Sequence, residues 1–236
     1  MTLLLTRPEV PEICAVPGSA FDDTRTRLRA LAPDAPRVYA VARVDEEPRR
    51  RWWRLAGEDR AQRVDLLYRR VLDDVEDPRI AVEQVAGALI HVVVGRVLAP
   101  VVLDGRAWDP GLENLWIHQD SDGGTDWAGV ADDTLRVLPG DPAEGTRGVV
   151  VLPCEQALAI WTAHRAVTAL STVHRTLQGC APLDGARFWA LVGRAVVTGA
   201  AQLPMLAASS RQVSARRGQQ LLDAFVSAGF PVRGLA

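Results

Sequence analysis

A chain of 236 residues with 48% apolar and 24% charged side chains has the composition of a folded protein with one sizeable core. Its formal net charge of −2 gives no electrostatic case for nucleic acid or a membrane surface. The sequence has no lysine, so a Schiff base, a lysine general base and a P-loop are all excluded.

The first residues, 1–7, are too short for a signal-peptide core and lack a basic start. Cys14, Cys154 and Cys180 are scattered and odd in number, which argues against a disulfide framework or a zinc ribbon. A reduced, cytoplasmic setting is therefore expected. The N-terminal segment, 1–57, reads as a helix over 21–31 and a short strand over 38–42. A long helix is predicted over 59–75, closed by Asp73 and Asp74, with Pro78 preventing simple continuation.

Residues 80–103 are the most apolar stretch. Glu83, Gln84, His91 and Arg96 interrupt it, and an arginine at mid-membrane costs about 2.5–3.5 kcal/mol, so a buried core helix over 80–98, ending near Pro100, is predicted rather than a membrane span. Gln84 and His91 are seven apart and share a helix face. Arg96 needs a carboxylate, a carbonyl or an anionic ligand if it is buried.

Mid-chain, 115–118 alternates, so Trp116 and His118 share one strand face. Ser121-Asp122-Gly123-Gly124 has strong turn chemistry. The stretches 127–131 and 135–138 read as antiparallel partners, with a further strand over 149–152. Helices follow over 154–177, from Asp184 to about 203, and over 214–227. In the first of these, Ile160, Ala163, Val167, Leu170 and Leu177 form an apolar stripe. Trp161, His164, Thr168, Ser171 and Arg175 form a second stripe about 100° away, which suits a pocket wall and a half-exposed boundary equally. The expected fold class is α+β, mainly α: one domain over 1–236, helical, with a small antiparallel β-sheet inserted mid-chain.

Asp73-Asp74-Val75-Glu76-Asp77 matches the DDxxD pattern that holds magnesium on a diphosphate. No second metal motif follows, and a solvated helix end is the preferred reading. Nucleophile elbow, dinucleotide fingerprint and zinc-protease motifs are absent.

Three places carry a resemblance to a known family. They are Gln84 to Pro100, Asp104-Gly105-Arg106 leading to Glu113-Asn114-Leu115-Trp116, and His174-Arg175-Thr176-Leu177 followed by Phe188-Trp189. Together, over about 58–205, they resemble the ferric-siderophore reductase (FhuF-like) family in its actinobacterial form, with 206–236 as a C-terminal helix. Members of that family end in cysteines that bind a [2Fe–2S] cluster. No cysteine lies in 209–236, so no cluster and no other cofactor is expected.

The resemblance implies a retained small-molecule cavity for a siderophore-like or other specialised metabolite. A cofactor-independent cyclisation or isomerisation is one use of it. A non-catalytic iron-handling accessory protein and a reductase with atypical iron ligands are the alternatives. The candidate catalytic residues are His91, Arg96 and His164. The candidate ligand-binding residues are Trp116, His118, Trp161, Thr168 and Trp189, with no metal site. A homodimer is left open.

Overall fold

Ser19 opens the first helix by accepting a hydrogen bond from the Asp22 amide, and the acidic Asp22 and Asp23 sit in the first turn, where the helix dipole favours them. The structure is a computed structural model and describes residues 19–48 and 50–233. Cys14 and the stretch 1–7 lie outside the described residues. Helix α1 spans Ala20–Arg29 and buries Phe21, Thr24 and Leu28. Strands β1 (Val41–Arg43) and β2 (Trp52–Arg54) follow, then α2 (Arg60–Val75).

Helix α2 stops where Glu76 turns left-handed at φ 57°. Asp77 then caps the next helix, its carboxylate accepting from the Arg79 and Ile80 amides, and Pro78 fills the first helical position, where no amide is needed. The DDxxD motif is therefore split by a helix break. Asp73 is a solvated helix end, and Asp77 is committed as a cap.

A continuous helical rod then runs from Pro78 to Asp104, 27 residues, and 83% of its most apolar window is buried in the protein. It is a core helix, long and apolar enough to span a bilayer but covered by its own fold. It comprises α3 (Pro78–Ile90), one π turn (His91–Gly95) and α4 (Arg96–Asp104). The predicted end near Pro100 is corrected: Pro100 lies inside α4, where packing of α6 and α7 outweighs one lost backbone bond.

The sheet order is β1-β4-β3-β2, with β3 at Leu115–Gln119 and β4 at Thr125–Val130. Strands β3 and β4 form the hairpin that the turn chemistry predicts. The predicted pairing of 127–131 with 135–138 is corrected. Strand β4 pairs instead in parallel with β1, Val41 opposite Ala128, while β5 (Leu135–Val137) pairs in parallel with β6 (Val149–Val151). The main sheet is thus mixed, and it recruits two strands from the N-terminal segment.

The remaining helices are α5 (Glu155–Leu177), α6 (Gly185–Leu206), capped by Asp184 as predicted, and α7 (Arg211–Ser227). They pack around the central rod. One face of the main sheet joins this core through Trp53, Leu115, Ile117 and Ala128. The other carries a separate cluster of Ala42, Trp52 and Trp127, with Trp116 against it.

Candidate functional site

The π turn decides the geometry of the site. In a regular helix, residues five apart project about 140° from one another. One i→i+5 turn brings His91 and Arg96 to the same side, and the Arg96 amide bonds the His91 carbonyl. Both side chains then meet one acceptor. His91 Nε2 lies 2.7 Å from the Val38 carbonyl oxygen, and Arg96 Nε donates to the same oxygen at 3.1 Å. That oxygen can only accept, so His91 carries its proton on Nε2. The other ring nitrogen packs over Gly95, where an added Cβ would collide with the imidazole. Only glycine lets the ring sit there.

Burial, followed by the charge of Arg96, pushes the His91 imidazole below its ordinary range, with the Val38 bond pulling weakly the other way. His91 is neutral at pH 7.

Arg96 is 2% exposed. Its Nη2 donates to the Asp126 carbonyl at 3.1 Å, and its Nη1 has no hydrogen-bond partner among the described residues. Among the described residues, no carboxylate bonds this guanidinium. Burial lowers its pKa to about 10, and Asp126 offsets only part of that. A buried cation without an anion is an unusual arrangement in a folded chain.

A β-bulge sets Asp126. His118 pairs with Trp127 and Gln119 with Thr125, so Asp126 is the extra residue of β4. The bulge turns its carboxylate toward the face of its neighbour Trp127. Asp126 Oδ1 accepts from His118 Nδ1 at 2.6 Å, and Oδ2 from Arg37 Nη1 at 2.7 Å. Burial alone would raise the Asp126 pKa, but these two bonds hold it below the ordinary carboxylate range. Arg37 also lies over the Trp127 ring at 4.7 Å. His118 rests between Trp52, at 5.1 Å, and Trp127, at 6.5 Å.

These groups border a cavity of about 470 Å³. Its walls are the strap Asp34-Ala35-Pro36-Arg37-Val38, then His91, Arg96, Thr125 and Asp126. Thr125 Oγ1 is the second buried polar atom at this wall without a partner among the described residues. A larger groove between α6 and α7, about 580 Å³, is lined mostly by apolar side chains such as Val197, Met205 and Leu222. Another of about 850 Å³ beside α1 contains Arg43 and Arg106, already paired with Glu46, Asp133 and Asp141.

Of the residues singled out in the sequence, the cavity unites His91 and Arg96, with His118 one hydrogen bond behind its wall. Trp116 lies on the same sheet face as His118, beneath Arg54 at 5.8 Å. The others lie elsewhere. His164 and Thr168 are exposed on α5, and Trp161 is half-buried under Arg136 at 4.5 Å. Their stripe is the boundary face of α5. Trp189 is buried against Phe225 and Phe230. Sequence reasoning missed Asp126, Thr125 and Arg37. Asp126 stands eight residues from His118 across a Gly-Gly turn, a spacing at which hairpin partners meet.

No family model matches the chain, and neither does any curated protein or solved structure.

Proposed function

We propose that the protein binds a small metabolite through a carboxylate or similar oxyanion, in the cavity bordered by the 34–38 strap, the π turn and the start of β4. The observation that carries this reading is Arg96. It is a buried guanidinium at a cavity wall, bonded to backbone carbonyls, with Nη1 unpartnered among the described residues. A ligand carboxylate supplies the missing anion. It replaces the partial charge of the Val38 carbonyl with a full one, a stronger acceptor for a guanidinium fork. The strap must shift for this, because Nη1 is enclosed. Ala35, Pro36 and Val38 offer apolar surface to the rest of the ligand. The volume lies within the roughly 300–1,000 Å³ usual for small-molecule sites. A siderophore-like molecule carrying carboxylate or hydroxamate oxygens falls in this class. A reduced cytoplasmic setting accords with the free thiols of Cys154 and Cys180.

Binding, rather than catalysis by His91, is the reading the geometry favours. Nε2 of His91 is committed to Val38 and its other nitrogen is closed off by Gly95. One observation favours a second reading, a cofactor-independent enzyme: Asp126 orients His118 through Nδ1, leaving Nε2 to accept a proton.

Calorimetric titration with benzoate and 3-phenylpropionate tests the binding reading. Saturable binding that is lost in Arg96→Gln supports it. Heat that is unchanged by that substitution removes it.

A further inference from the structure

The cavity wall carries both signs of charge in equal number: Arg37 and Arg96 against Asp34 and Asp126. His91 adds none at neutral pH. A dianion such as phosphate would gain Arg96 and meet the Asp126 carboxylate. An uncharged ligand would bring Arg96 no anion. A molecule that itself carries both signs meets neither penalty.

Asp126 provides the geometry for this. Its backbone oxygen is the acceptor that fixes Arg96, while the bulge turns its carboxylate the other way. One residue therefore joins the guanidinium to a carboxylate at the same cavity. A carboxylate has about four acceptor positions. Among the described residues, His118 and Arg37 each fill one, which leaves positions for a third donor. The side chain is 28% exposed, and Asp126 lines the cavity. The same two partners hold it ionised, the state an ammonium needs.

We propose that the ligand is a zwitterion of the α-amino-acid class, its carboxylate held by Arg96 and Thr125 and its ammonium by Asp126. This rests on the oxyanion site proposed above and adds the second pole. The strap's apolar residues then face the ligand's side chain, and Thr125 Oγ1 donates to the carboxylate oxygen that Arg96 does not take.

Matched pairs of ligands test it: alanine with propionate, leucine with 4-methylpentanoate, phenylalanine with 3-phenylpropionate. Each pair differs only in the ammonium. Titrated into the full chain, the best-bound amino acid is expected to bind about tenfold tighter than its desamino partner. Asp126→Asn is expected to reverse the order, weakening the amino acid and tightening the plain acid. If in the wild type every plain acid binds as tightly as its partner, the zwitterion is wrong and the oxyanion site stands. Absence of binding by all six overturns both readings. An unchanged ratio in a folded Asp126→Asn protein, checked by its thermal melt, removes Asp126 as the ammonium's partner. The wild-type comparison decides the matter even if that variant fails to fold.

Discussion

Arg96 Nη2 donates to the Asp126 carbonyl across 3.1 Å, and this bond joins two backbone irregularities, the π turn of the central rod and the bulge of β4. Such insertions interrupt regular hydrogen bonding and re-aim the side chains beside them. Here the two insertions meet at the Asp126 carbonyl. The π turn swings Arg96 beside His91, and the bulge sets the Asp126 carboxylate on His118. The strap is tied into the same junction through Val38.

Arg96→Lys keeps the charge and removes the fork. An ammonium on a flexible stem cannot bridge Val38 and Asp126 with the same planar geometry, so at least one buried carbonyl loses its donor. A loss of about 1–3 kcal/mol in unfolding free energy is expected by urea titration. Carboxylate binding should fall at least about tenfold in the same variant. Full affinity in the lysine variant would mean that charge alone matters and the fork does not.

Gly95→Ala tests the seat of the imidazole. The added methyl would fall on the His91 ring, whose Cγ lies 3.0 Å from the ideal Cβ position. The ring must leave, and its bond to Val38 goes with it. Overpacking of this kind costs about 1–3 kcal/mol. The strap should then exchange its amide hydrogens faster over 34–38 than in the wild type, while α6 and α7 keep their protection.

The elements legible in the sequence were those with local causes. Pro78 marks the break between α2 and the rod, and Asp184 caps α6. The alternation at 115–118 gives β3 and sets Trp116 beside His118 on one face. What was hidden depends on non-local pairing or on an inserted residue. Strand β2 is three residues long and exists because β3 offers it an edge. Strand β1 pairs in parallel with β4, more than eighty positions on, which no hairpin signal announces. His91 and Arg96 point apart on an ideal helix and meet only through the π turn. Asp126 would alternate away from Trp127 on a regular strand and joins His118 only through the bulge. The second stripe of α5 fitted a pocket and a boundary equally, and packing chose the boundary.

The lowered pKa of His91 makes stability depend on pH. Unfolded, the imidazole titrates near 6.5; folded, it titrates lower, because burial and Arg96 both oppose its charge. As pH falls below 6.5 the unfolded chain takes up the proton first, so stability falls in that window. The slope for one proton is at most about 1.4 kcal/mol per pH unit. Among the described residues, Arg96, the Val38 carbonyl and the Tyr39 ring face His91, and no carboxylate bonds it to offset the trend. His91→Gln keeps a donor for Val38 and has nothing to titrate. The difference in unfolding free energy between wild type and variant should therefore shrink or reverse from pH 7 to pH 5. A pH-independent difference would mean that His91 is not buried in its neutral form.

The outer face of the sheet separates a structural role for the tryptophans from a binding one. Trp52 is 7% exposed, with His118 at 5.1 Å and Trp127 at 5.5 Å, and it belongs to the edge strand β2. If this cluster is a second small core, Trp52→Ala should cost about 3–5 kcal/mol, as large aromatic truncations in cores do. Trp52→Phe should cost much less, because a ring of similar thickness still fills the row. Removing the indole also strips His118 of one packing face while leaving its bond to Asp126. Amino-acid binding should then change less than in Asp126→Asn. If Trp52→Ala leaves stability within about 0.5 kcal/mol, the face is not core at all. The row of Trp52, His118 and Trp127 would then be a surface, and the ligand site would extend past Arg37 onto it.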